Sequence, residues 1–260
     1  MSRTLDRGKY ALGDRIYGGP ERGLYAVQEL ARPERHWVTV GPAQRLPEAE
    51  LRRRLTWNIP GIAPLTYIGP IEGEENGYDG LVEQLPDGDR TDEQPPKGGD
   101  AIEIAIAIGE VLRAVQSYGW VLAGLRPETV FVLREATHCR FSGMAPRCQL
   151  FWMTSREPRE AAPPAFDRLY IAPELMGSQE PTAAADVFSL CATLAEWISG
   201  YPFEGEHFMA RLMSLLQGRR SGWHGPPELA PLIDRALAVE PARRPSLDEV
   251  LAELESFKSR

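Results

Sequence analysis

The stretch ADVFSLCATLAEWISGYPFEGE, Ala185 to Glu206, opens on a single acid, Asp186, and then runs almost uninterrupted through apolar residues to Gly200. A run of that length built for burial predicts a core helix, and glycine just past its end is a natural stop, because it takes the left-handed turn that closes a helix without a side-chain penalty. Asp186 is the odd residue. Taken alone it reads as a solvated surface acid, and the neighbouring sequence has to decide whether it has a buried task instead.

Downstream, helix follows helix. HFMARLMSLLQG (207–218) is apolar and stops on glycine, and PELAPLIDRALA (227–238) puts Leu229, Leu232, Ile233, Ala236 and Leu237 along one stripe. SLDEVLAELESF (246–257) opens on Ser246-x-x-Glu249, a capping box, and repeats apolar residues at 247, 250, 251, 254 and 257. Upstream, DAIEIAIAIGEVLRAV (100–115) alternates Ile102, Ile104, Ile106 and Ile108 at period two, as a strand would. The pattern continues through Val111, Leu112 and Val115, and the segment is too long for a typical strand, so it predicts a buried helix with a D-x-x-E start at Asp100 and Glu103.

The first ninety residues differ. ALGDRIYGG (11–19), LYAVQEL (24–30) and HWVTV (36–40) are short strand-like runs, and YIGPIEGEENGYDGLVEQL (67–85) holds two more joined through Asn76-Gly77, a hairpin signal. One helix interrupts them, with Pro47 in its first turn and Leu51 and Leu55 on one face. Pro, Gly and charge fill LPDGDRTDEQPPKGGD (85–100). The layout is α+β: a small β-rich lobe over about 1–85, a connector over about 86–99 and a mainly helical lobe over about 100–260.

Composition bounds the function. The chain has 260 residues, 43% of them hydrophobic and 25% charged, which is ordinary for a globular protein able to bury a large core. Its 29 basic and 37 acidic residues leave a net charge of −8, a poor footprint for a phosphate backbone, so no nucleic-acid partner is expected. Lys occurs only at Lys9, Lys97 and Lys258, an Arg bias that fits a GC-rich, bacterial genome. No apolar run nears the ~20 residues that cross a bilayer, and MSRTLDRGKY (1–10) lacks the apolar centre of a signal peptide. With Cys139, Cys148 and Cys191 in no metal-like spacing, the expectation is reduced thiols in a cytoplasmic protein. His36, His138, His207 and His224 make no spaced metal pair.

Four motifs in order resemble the eukaryotic-type Ser/Thr protein kinase family over essentially the whole chain. YIAPELMG (170–177) is similar to the end of an activation segment, with Ala172-Pro173-Glu174 on A-P-E. The opening stretch is similar to the D-V-W-S-L-G helix and the T-G-x-x-P-F turn after it, with Asp186 on the buried Asp. ALAVEPARRPSLDEVL (236–251) places Arg244 and Pro245 on the end of D-P-x-x-R-P. YGWVLAGLRPETVFV (118–132) aligns without gaps on H-G-I-V-H-R-D-L-K-P-E-N-I-L-V. The resemblance implies the two-lobed kinase fold as a single domain over 1–260. It also implies a buried Glu174–Arg244 ion pair and an Asp186 that accepts backbone N–H bonds from the catalytic loop.

The residues that carry kinase chemistry do not follow. On this alignment the catalytic His, Arg and Asp fall on Leu122, Ala123 and Gly124, and the metal-binding Asn falls on Thr129. D-F-G falls on Phe141-Ser142-Gly143, and the glycine loop keeps Gly19 but has Tyr17 and Arg22 on its other two positions. The third-strand Lys gives way to Val40 or its neighbour in HWVTVGP (36–42), leaving Glu48 or Glu50 with no Lys partner. Phosphoryl transfer is mostly positioning and charge stabilisation, and magnesium wants oxygen ligands that Phe141 cannot offer. The expectation is therefore a pseudokinase with no cofactor and no Mg-ATP, acting as a scaffold that binds another protein. Two alternatives stay open. One is an inactive nucleotide-binding protein whose linker strand, Val82 with Glu83, Gln84 and Leu85, hydrogen-bonds an adenine-like ring. The other is an unconventional nucleotide-dependent transferase enlisting a carboxylate such as Glu128. Thr154 and Ser155 in a polar loop, and Arg52-Arg53-Arg54 on the small-lobe helix, read most simply as solvated surface.

Overall fold

The computed structural model describes residues 4–18, 23–31, 35–42, 55–56, 59–72, 78–84, 88–122, 125–133, 148–150, 170–176, 181–199 and 225–259. The predicted small-lobe helix around Pro47, the Asn76-Gly77 turn, Gly200, the 207–218 helix, Thr154 and Ser155 lie outside these residues. Among the described residues the chain divides into two compact units, one up to Gln84 and one from Gly88 onward.

Among its described residues, the regular elements of the first unit are strands. Its strands are β1 (Thr4–Leu5), β2 (Tyr10–Gly18), β3 (Gly23–Glu29), β4 (Arg35–Pro42), β5 (Leu65–Glu72) and β6 (Tyr78–Gln84). They form a closed barrel in the order β1-β2-β3-β4-β6-β5, with every neighbouring pair antiparallel. The predicted strands correspond to β2 to β6, and the two runs flanking Asn76-Gly77 pair with each other, Pro70 opposite Asp79. Alternation sends Tyr25 and Val27, Ile71, Val82, Leu5 and Tyr10 inward to one core. The closing strand β1 was not foreseen: two residues carry no periodicity to read.

Among its described residues the second unit is helical around a three-stranded sheet. It holds β7 (Gly88–Arg90), α1 (Gly99–Ser117), β8 (Val130–Leu133), β9 (Cys148–Leu150), α2 (Pro173–Met176), α3 (Ala183–Ser199), α4 (Ala230–Ala236) and α5 (Leu247–Lys258). β8 pairs antiparallel with both β7 and β9. α1 packs against α3 and α5. Its isoleucines obey the helical period, not the alternating one: Ile102, Ile104 and Ile108 are buried with Val111, Leu112 and Val115, while Ile106 is only half-buried. Gly109 lies where α1 meets α5, and a Cβ there would run into Leu251 Cδ2.

The start of α1 departs from the predicted D-x-x-E box. Gly98, at φ 54°, turns the chain, and the Asp100 amide donates to the Lys97 carbonyl at 3.1 Å. Asp100 sits inside the first turn, where its charge meets the positive helix end instead of capping it. The Ser246 box at α5 does form. Ser246 Oγ accepts from Glu249 N–H at 3.3 Å, and Glu249 Oε2 accepts from Ser246 N–H at 2.7 Å.

Two outcomes follow for α5. Ser246→Ala should lower stability by about 1 kcal/mol, the usual cost of an N-cap, read in urea denaturation. The Glu249 carboxyl is held below its ordinary range by the Ser246 amide and then the Ser246 hydroxyl. A depressed carboxyl contributes stability above its unfolded pKa and loses it as pH falls through its folded one. The gap in Tm between the native chain and Glu249→Gln, which lacks the titrating carboxylate, should therefore narrow on acidification, and a gap constant from pH 7 to pH 3 would contradict this.

Candidate functional site

Arg244 is the anchor of the second unit. It follows the 3-10 turn Pro241–Arg243, and its side chain is fully buried. Its five N–H groups all find acceptors. Nη1 donates to Glu174 Oε1 at 2.7 Å and the Ala184 carbonyl at 3.0 Å, and Nη2 donates to Glu174 Oε2 at 2.7 Å and the Val239 carbonyl at 3.2 Å. Nε donates to the Ala238 carbonyl at 2.8 Å. The guanidinium carbon lies 5.0 Å from the centre of the Phe188 ring, adding a cation–π contact. Only a planar fork offers two parallel bonds to a carboxylate and three more to carbonyls. One residue thereby joins α2, α3 and the turn before α5.

Asp186, in the first turn of α3, is fully buried. Its Oδ2 accepts from the Leu122 backbone N–H at 3.2 Å and from Gln116 Nε2 at 3.3 Å. The acid that looked out of place in the sequence thus holds the start of the 122–129 loop to the end of α1. The far end of that loop closes on itself. Thr129 is 1% exposed, and its hydroxyl donates to the Arg126 carbonyl at 2.8 Å and accepts from the Arg126 N–H at 3.2 Å, closing the 3-10 turn Pro127–Thr129. Leu125 and Val130 are buried beside it. Thr91 fastens the loop from outside: its hydroxyl donates to the Pro127 carbonyl at 2.8 Å and its amide to the Val130 carbonyl at 3.0 Å.

Of the other sequence-derived positions, Leu122 is buried next to Asp186. Ala123, Gly124, Phe141, Ser142, Gly143, Gly19, Arg22 and Leu85 lie outside the described residues. Tyr17 pairs with Leu24 in the barrel, and Val40 stands in β4 between Gly23 and Gly80. Glu83 pairs with Trp37 and Leu65, and the Gln84 amide donates to the Pro64 carbonyl at 2.9 Å. Among the described residues no three His, Cys, Asp or Glu side chains gather as a metal site, and no helix is long and apolar enough to cross a membrane.

Sequence reasoning missed Gln116, Thr91 and Ser189. Gln116 is a polar residue ending an apolar helix, which is a faint signal. Thr91 sits in a charged, Pro-rich stretch that signals only a connector. Ser189 donates to the Tyr170 carbonyl at 2.7 Å, and the Tyr170 hydroxyl donates to Glu196, fixing the residues before A-P-E on α3.

The geometry makes two expectations concrete. Arg244→Met leaves Glu174 buried without its counter-charge and should cost about 3–5 kcal/mol in denaturant unfolding. Arg244→Lys should recover little of it, since an ammonium cannot satisfy five separate acceptors. Cys191 is fully buried in α3, and its thiol is pushed up to about 12, first by desolvation and then by Glu253. It should resist a thiol-modifying disulfide reagent in the folded chain at pH 8 and react once the chain is unfolded, with labelling located by peptide mass spectrometry.

No protein-family model matches the chain. Over 94 residues, 35% of its length, it is 32% identical to the probable serine/threonine-protein kinase drkD of Dictyostelium discoideum. Over 92 residues, 32% of its length, it is 35% identical to the ovarian-specific serine/threonine-protein kinase Lok of Drosophila melanogaster. The matches span 7% and 19% of those two proteins. Among solved structures, Rad53 1–466 in complex with AMP-PNP superposes with a TM-score of 0.70 at 17% identity, covering 94% of this chain and 64% of that one. The Mycobacterium tuberculosis PknI kinase domain superposes with a TM-score of 0.60 at 20% identity, covering 95% and 96%. The fold is the two-lobed α+β fold of protein kinases, and about a third of the chain is similar in sequence to serine/threonine kinases.

Proposed function

We propose that this kinase-fold chain is a pseudokinase: a single kinase-like domain over residues 1–260 that works as a cytoplasmic scaffold for another protein and does not transfer phosphate. The observation that carries the reading is Thr129. It stands where the resemblance puts a metal-binding Asn, yet it is buried and its hydroxyl is engaged with both the amide and the carbonyl of Arg126. A hydroxyl so used shapes a loop and has little left to offer a cation. The sequence adds Gly124, Phe141 and Val40 at the other charge-handling positions. A triphosphate there would lack both its metals and its lysine, and an unpaired charge next to apolar groups costs several kcal/mol.

The retained charges support the same reading. Glu174, Arg244 and Asp186 spend their capacity on holding segments in place. A surface for a partner needs that architecture and none of the metal chemistry. The engaged Gln84 amide also bears on nucleotide binding, because an adenine-like ring would have to find its donor beyond the strand.

The test is a thermal-shift titration with ATP, with and without magnesium, alongside incubation with labelled ATP and a generic acceptor. A ligand at a hundred times its Kd would add about 2.7 kcal/mol and raise Tm visibly. The expected outcome is no dose-dependent rise and no labelled product. A rise without transfer would favour the inactive nucleotide-binding protein, and transfer that Phe141→Ala abolishes would overturn the proposal.

A further inference from the structure

β1 is a short strand holding a disproportionate place. Thr4 lies opposite Ala11 on one side and Glu72 on the other, and Leu5 lies opposite Tyr10 and Ile71, so two residues bridge both edges of an otherwise open sheet. Leu5 is fully buried in the barrel core with Tyr10, Ile71 and Val82. The Thr4 hydroxyl donates to Glu72 Oε2 at 2.6 Å. The seat between β2 and β5 therefore recognises a Thr-Leu pair by a carboxylate for the hydroxyl and an apolar hole for the leucine. This chain itself carries that pair.

The turn joining the strand to its seat is strained. Asp6 and Arg7 both carry positive φ, 51° and 56°, followed by Gly8 at 81°, and the turn closes with the Lys9 amide donating to the Asp6 carbonyl at 3.1 Å. Glycine takes this region freely, aspartate tolerates it, and arginine pays the clash of Cβ with its own backbone. Opening the turn relieves that strain and costs nothing at the seat if an identical strand refills it. Fully extended, four residues reach about 13 Å, far enough to place β1 on a neighbouring barrel.

We infer that β1 is an exchangeable strand through which two copies of this chain form a strand-swapped dimer, each Thr4–Leu5 seated between β2 and β5 of the other. The partner is a second copy because the seat is complementary to this chain's own dipeptide. A short, strained hinge is the usual driver of such exchange. Lost translational freedom opposes it, so the dimer grows with concentration. The inference stands on the barrel alone and is independent of the proposed pseudokinase role.

The test uses the full chain in two single variants, Thr4→Cys and Glu72→Cys, whose positions face each other across β1 and β5. The two are mixed over a range of concentrations and oxidised, and disulfides are located by mass spectrometry. The expected product is a disulfide between position 4 of one chain and position 72 of the other, rising with concentration and reduced several-fold when Arg7→Gly is added to both. The double variant Thr4→Cys/Glu72→Cys, dilute, should close the same bond within one chain. Light scattering on the unaltered chain should show a dimer at high concentration. Absence of a 4–72 bond between the mixed single variants at every concentration, while the dilute double variant closes it within one chain, would overturn the proposal, as would failure of the bond in both arms, which would unseat β1 altogether. So would a chain that stays monomeric throughout.

Discussion

The helical unit depends on a buried guanidinium that leaves no donor unused. Arg244 faces one carboxylate, three carbonyls and one aromatic ring, and these belong to segments far apart in the chain. Taking two charges out of water is costly, and their attraction repays it only when geometry and further hydrogen bonds are good. Here they are good. Because the acceptors must all be present together, α2, the start of α3 and the turn before α5 have one mutual arrangement that satisfies Arg244. An apolar substitute of similar volume would allow several.

That constraint propagates. With the start of α3 held, Asp186 is placed to receive the Leu122 amide, and the loop that follows has a fixed origin. Thr91 and the Thr129 turn then fix its other end. The hydrogen bonds of Asp186, Thr91 and Thr129 along this path go to backbone groups or, for Asp186, also to the Gln116 side chain. The described ends of the 122–129 segment are thereby tied to α1, α3 and the residues after β7.

The barrel follows a different rule. Among its described residues there is no fully buried ion pair, and its order comes from antiparallel register and an inward row of apolar side chains. A one-residue slip of any strand would turn that row to solvent, so register is strongly specified. Closure by β1 removes two sheet edges, which are otherwise a liability for association.

Much of the fold was legible. The apolar stripe of α5, its Ser246–Glu249 cap, the long α3 behind Asp186 and the strands β2 to β6 are local patterns, and local patterns are printed in the order of residues. The α+β layout and the kinase resemblance rest on them. The start of α1 was misjudged because Asp100 and Glu103 have the spacing of a cap while Gly98 supplies the turn. Of the site, the Glu174–Arg244 pair and the Asp186 contact to the Leu122 amide were legible from the resemblance, while the geometry around them was not. The sequence by itself determined which residue types stand at the positions the resemblance compares, since Gly124, Phe141 and Val40 are read directly from it and carry no ligating side-chain group. Only the tertiary structure decided what Thr129, Gln116, Thr91 and the two-residue β1 do. A hydroxyl or amide is ambiguous until the chain is folded, and its role is set by which distant backbone group arrives within hydrogen-bond reach.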